Sequence, residues 1–184
     1  KADIKAKNNY GATPLQWAAW VQNSTDVVQL LIKHGANVDD MDLGSWTLPD
    51  AVKENRRDIS LALIERGDDI DTRDKEGRTA LHWAAHKNSV HLAGDLISYY
   101  LWDKETYLNE PTDKLGRTPL HLAALGNSFE VANEIIVAAD IEAEDNDGHT
   151  ALYFAAKNQS RKIVRLLLGW GANTDGIDLS WMDG

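Results

Sequence analysis

The chain has 184 residues, 43% of them apolar, a net charge of −10 and no cysteine. That length can bury a real core and this apolar content excludes disorder, while the missing cysteines exclude disulfides and thiolate zinc sites. A surface this acidic, with no basic stripe, argues against nucleic acid, and no apolar run approaches the ~18 residues of a membrane span. Residues 1–7 lead into no apolar core, so they are not a signal peptide. An intracellular home, cytoplasmic or nuclear, fits these features.

In chain order, one nine-residue block recurs. It reads GATPLQWAA at 11–19, GSWTLPDAV at 44–52, GRTALHWAA at 77–85, GRTPLHLAA at 116–124 and GHTALYFAA at 148–156. The leading glycines are 33, 33, 39 and 32 residues apart. Each block predicts a short helix: Thr13 and Thr118 cap it, Pro14 and Pro119 take its first position, and Leu15 with Ala18 and Ala19 form one apolar face. Trp17 and Trp83 stand at the place of Leu122 and are expected in the core. In the second copy Trp46 replaces the capping threonine and Pro49–Asp50 replace the histidine region, which predicts an irregular helix start.

A second block follows each copy, as in VVQLLIKHGANVD at 27–39 and IVRLLLGWGANTD at 163–175. Val27, Val28, Leu31 and Ile32 recur at helical spacing and predict a core-facing stripe. Asn23–Ser24, Asn88–Ser89 and Asn127–Ser128 separate the two helices, since Asn tolerates the left-handed conformation and Ser can cap. Gly35, Gly67 and Gly171 close the second helix, and Asp-rich turns lead to the next unit.

The unit resembles the ankyrin repeat, a turn plus two helices over ~33 residues with a T-P-L-H-x-A signature. The resemblance covers residues 1–176 and implies an all-α solenoid of stacked helix-turn-helix units joined by β-hairpin-like turns. One domain, 1–184, is expected, with repeats at about 8–39, 41–71, 74–112, 113–143 and 145–176. Residues 1–7 read as the tail of a preceding repeat and 177–184 as the start of a further one or a cap. The chain is therefore expected to be a fragment of a longer array or to carry unusual caps.

The resemblance implies that His82 and His121 bond between neighbouring repeats. His82 and His86 share a zinc-like i, i+4 spacing, but no third ligand is visible. The carboxylates around Asp68–Asp74 and Asp140–Asp147 lack the glutamate that closes an EF-hand loop and read as solvated turns. The triplets headed by Asn23 and Asn158 match glycosylation sites but fall in inter-helix turns. No nucleophile elbow or phosphate-binding glycine loop occurs. No metal, cofactor or catalytic residue is expected.

The resemblance further implies a partner, another protein or peptide, on the concave face. By register this surface holds the tip residues Tyr10, Leu43, Glu76, Arg78, Leu115, Arg117 and His149. From the first helices it takes Trp20, Val21, Lys53, His86, Lys87, Leu125 and Lys157. Trp20 is singled out because tryptophan is enriched at binding hot spots. The third repeat carries six extra residues, and its stretch at 99–111 brings Tyr99, Tyr100, Trp102 and Tyr107. These either extend the second helix or form a binding loop. A non-catalytic interaction scaffold is the leading expectation. The alternatives are a small-molecule-binding or catalytic protein on the same scaffold, and a regulatory module of a larger channel or effector.

Overall fold

The computed structural model describes residues 3–21, 25–41, 43–103 and 113–183. Its contacts group into two compact units, residues 1–72 and 73–184. Ten α-helices and two 3₁₀ turns account for the regular structure, and no strand occurs among the described residues.

The first unit holds α1 (Pro14–Trp20), α2 (Thr25–Lys33), α3 (Leu48–Lys53) and α4 (Arg57–Arg66), with a 3₁₀ turn at Val38–Asp40. Helix α1 starts as the sequence predicts. The Thr13 hydroxyl accepts the Gln16 N–H (3.3 Å), and the Gln16 carbonyl accepts the Thr13 N–H (2.7 Å). This reciprocal pair satisfies two donors that a helix start leaves orphaned.

The second copy keeps its cap but shifts it. Thr47, not residue 46, caps α3, and its hydroxyl both accepts the Asp50 N–H (3.3 Å) and donates to the Asp50 carboxylate (2.7 Å). The core leucine stays four residues after the glycine in both copies: Leu15 and Leu48 are each 1% exposed. So the register holds while α3 begins one residue late, and Trp46 is left in the connecting loop, half-buried. Helix α2 packs on α4, while the seam between α1 and α3 is looser.

Two expectations for this unit are corrected. Val27 is half exposed, and in α2 only Val28 is fully buried. Trp17 is exposed as well, at 45%, although its counterpart Trp83 is buried. The reason lies in the hairpin. Asp74 takes backbone N–H groups on one carboxylate oxygen and the Trp83 indole N–H on the other (2.7 Å). Asn8 holds the equivalent place, and its single carbonyl oxygen is already used by Tyr10 and Ala12 N–H. Arg78 also covers Trp83, 4.8 Å from the ring, where the first copy has only Ala12. Trp17 instead packs edge-on against Trp20, 5.7 Å between ring centres.

The second unit holds α5 (Ala80–Lys87), α6 (Val90–Asp103), α7 (Pro119–Leu125), α8 (Phe129–Ile135), α9 (Ala151–Lys157) and α10 (Arg161–Gly169). Helices α5, α7 and α9 pack side by side through buried alanine pairs, Ala84–Ala85, Ala123–Ala124 and Ala155–Ala156. Small side chains permit a short interaxial distance. At the α5–α7 seam, a Cβ on Gly126 would overlap the backbone carbonyl of His86. Leu81, Leu120 and Leu152 fill the core beneath.

Turns join these layers. Asp74, Asp113 and Asp145 each cap a hairpin by accepting the N–H four residues on, at 2.8–2.9 Å. Consecutive hairpins are bonded through backbone: Lys114 N–H donates to Glu76 O (2.8 Å) and Asn146 N–H to Leu115 O (2.9 Å). Asn88 and Asn127 take positive φ after the first helices, while in the last copy Gln159 does so rather than Asn158. Asn158 instead donates from its amide to the carbonyls of Ala124 and Leu125, a structural use of the residue that heads the second glycosylation-type triplet. The first triplet begins at Asn23, outside the described residues.

The long helix α6 takes up part of the insertion as added helical length. Tyr99 is exposed there. The side chains of Tyr100 and Trp102, and the whole of Tyr107, lie outside the described residues. At the other end, Arg161 donates to the carbonyls of Trp181 (3.0 Å) and Met182 (3.2 Å), holding the 3₁₀ turn at Ser180–Asp183.

Candidate functional site

The signature histidines are structural. In His82 the Nδ1 atom accepts the Thr79 N–H (3.2 Å), so the proton sits on Nε2, which donates to Arg117 O (3.2 Å). His121 repeats this with Thr118 N–H (3.1 Å) and His149 O (2.9 Å). Histidine thus plays the capping role of Gln16 and also ties one repeat to the next. Burial pushes the His82 pKa down to about 4, and burial lowers His121 too. Neither nitrogen of His82 is left to bind a metal. His86, four residues on, packs edge-on against Trp83 and is also held below its ordinary range by burial.

The hairpin tips of the second unit are built on aspartates. Asp113, 2% exposed at its side chain, faces Arg78 at 3.7 Å and Arg117 at 3.9 Å. Arg78 lies over Trp83, and Arg117 lies over Phe154 at 5.7 Å. His149 stacks on Tyr153 at 3.8 Å, with the Lys157 ammonium 5.6 Å from the same ring. The aspartate spacing, four residues before Arg78, Arg117 and His149, is a signal in the sequence that the repeat pattern alone overlooks.

Among the described residues one trio of possible metal ligands converges: Asp145, Asp147 and His149, with atoms within 4.8 Å of one another. Asp145 already spends an oxygen on the Asp147 and His149 N–H groups, so the trio is accounted for by the turn. The other acidic cluster behaves similarly: Asp68 is forked by Arg66 at 2.6 Å, and Asp69 accepts the Asp71 N–H.

Most of the expected surface residues are accessible. In the first unit Tyr10, Trp20 and Val21 are exposed and Lys53 is partly so; in the second, Glu76, Lys87, Leu115 and Lys157 are exposed. Arg78, His86, Arg117, Leu125 and His149 are half-buried. Leu43 is the correction: it is 3% exposed and cannot be a tip contact. Its hairpin turns more tightly than the others, with Leu43 N–H on Met41 O (2.9 Å) and Trp46 N–H on Leu43 O (3.0 Å). An apolar leucine gains more by folding inward than by standing in water.

The register argument missed a cleft in the first unit. It has a volume of about 420 Å³ and lies among Trp20, Trp46, Arg56 and the buried Met41, Leu43 and Ile59. Arg56 lines it while forking Asp58 (2.9 and 2.6 Å) and donating to Ala19 O (3.3 Å).

Comparison with known proteins agrees with the architecture. The family model described as ankyrin repeats in three copies matches residues 48–145 and 94–178, and that of the single ankyrin repeat matches 10–43. The chain belongs to the ankyrin-repeat family, whose members generally mediate protein–protein interaction. Human neurogenic locus notch homolog protein 2 is 30% identical over 192 aligned residues, covering 96% of this chain and 8% of that protein. An ankyrin repeat-containing protein of Schizosaccharomyces pombe is 34% identical over 89 residues, 48% of this chain and 42% of its own. An ankyrin repeat protein of Rickettsia bellii is 55% identical over 38 residues, 21% of this chain and 22% of its own. The chain thus spans a small part of the notch relative. No helix among the described residues is long and apolar enough to cross a membrane.

Proposed function

We infer that this chain is a non-catalytic binding module that holds another protein on the surface formed by its hairpin tips and first helices. One observation carries the reading. The residues with chemical potential are spent on architecture: His82 and His121 cap and tie helices, and Asp74, Asp113 and Asp145 anchor turns. Side chains at the tips and helix ends, such as Glu76, Lys87, Leu115 and Lys157, are exposed. A scaffold whose fold does not depend on these exposed side chains can vary them to choose a partner. The intracellular home expected from the composition belongs to the same proposal.

The test is affinity capture with the intact chain against a Lys87→Glu/Lys157→Glu variant, both sites being exposed. A partner bound directly by the purified wild type and at least about tenfold more weakly by the variant, with unchanged melting, supports the reading. Equal affinity for both would move the partner off this surface.

A further inference from the structure

We propose that the cleft in the first unit is a specificity pocket that takes one neutral aromatic side chain of a peptide partner, with Arg56 donating to the carbonyl beside it. This rests on the protein-binding reading above and names what the first unit selects.

The cleft exists because of the late start of α3. In the other copies a threonine at the second residue after the glycine caps the helix; here that residue is Trp46, and Thr47 takes over the cap. The displaced indole lines the cleft together with Trp20. Leu43, folded in from its hairpin, and Met41 and Ile59 supply the buried apolar lining. At about 420 Å³ the space is at the small end of ligand sites and suits one large side chain.

The charges narrow the ligand. Tryptophan faces attract cations, but the Arg56 guanidinium is in the same wall, 6.0 Å from the Trp46 ring, and would repel one. An anion is disfavoured in turn, because Asp58 already neutralises Arg56 through two short bonds. A neutral group is left. Indole walls and the Met41 thioether favour an aromatic ring over an aliphatic chain, through edge-to-face and sulfur–ring contacts. Arg56 then contributes a donor and not a charge. Its Nε and Nη2 are engaged, while Nη1 has no hydrogen-bond partner among the described residues. A peptide carbonyl next to the ring would satisfy it. A small aromatic amide offers both parts.

The experiment titrates the full chain, ¹⁵N-labelled at tryptophan, with N-acetyl-phenylalanine amide, N-acetyl-leucine amide and N-acetyl-arginine amide. The phenylalanine probe should shift the Trp20 and Trp46 indole signals saturably and leave Trp170 and Trp181 in place. Leucine and arginine probes should bind at least about tenfold more weakly. Trp20→Ala, at a position 66% exposed, should keep a dispersed spectrum and abolish the Trp46 shift. The proposal is overturned by silence at Trp46, by equal response to the three probes, or by a Trp46 shift that survives Trp20→Ala. Such failure, with the Lys87/Lys157 variant still losing its partner, would remove the pocket and keep the binding surface.

Discussion

His82 reaches the backbone carbonyl of Arg117, 35 positions along the chain, while its other nitrogen accepts the amide proton of its own helix start. One neutral ring therefore closes a helix and joins two repeats. Burial disfavours a charge on this ring, and a proton added to Nδ1 would also oppose the Thr79 N–H, so the folded state resists protonation. The unfolded chain takes that proton near pH 6.5 and the folded chain only near 4. Stability from this ring is complete above pH 6.5 and is lost as pH falls toward 4, by roughly 3 kcal/mol. His121 and His86 act in the same direction. Urea midpoints at pH 7.5 and pH 4.5 should differ accordingly, and His82→Gln should flatten the slope. An unchanged slope would place the titration elsewhere.

The two jobs of the signature histidine can be separated. Gln16 performs the capping half in the first repeat. His121→Gln should keep the helix start and lose the bond to His149 O, costing about 1 kcal/mol. His121→Ala should lose both and open a space in the seam, costing at least about 2 kcal/mol. Equal losses in chemical denaturation would mean that one of the two bonds carries the whole effect.

Glycines divide into two kinds. Gly126 has ordinary dihedrals, but a methyl group there would strike the His86 carbonyl, so Gly126→Ala should force α5 and α7 apart and cost about 1–3 kcal/mol. Gly35 has open space around it and φ of +89°, so Gly35→Ala should cost only the left-handed strain of about 1 kcal/mol. Measured unfolding free energies in the reverse order would contradict the close approach of the two helices.

Asp113 is the shared counter-ion of two arginines as well as the acceptor for its own hairpin. Asp113→Asn retains one oxygen for the turn, as Asn8 does, but leaves Arg78 and Arg117 facing each other without a shared anion. A loss of about 1–3 kcal/mol is expected, partly relieved by Arg78→Ala in the same chain. A double-mutant cycle reads this coupling, and strict additivity would argue against it.

How much of this was legible in the sequence depends on which residues are compared. Thr13, Pro14, Gly35 and the histidine pair were legible because each obeys a local rule repeated in register. Trp17 was not, because its environment is set by the hairpin anchor nine residues earlier. A carboxylate there has an oxygen to spare for an indole, and the amide of Asn8 does not. Leu43 failed for a related reason. Transferring positions by counting from the glycine assumes equal turns, and this copy caps one residue late. The cleft is a product of that single-residue displacement, so no motif announces it. For the candidate site, the accessible tips were legible from register, while the paired arginines over Asp113 needed the fold.

The backbone bonds from Lys114 to Glu76 and from Asn146 to Leu115 have an evolutionary consequence. They hold successive hairpins in step without using the side chain of Glu76 or Leu115. Mutations at Glu76 and Leu115 are thus nearly invisible to folding, and those at the neighbouring aspartates are not. In a deep mutational scan the two sets should separate cleanly, with tip residues drifting under selection for abundance and becoming constrained only when binding is selected.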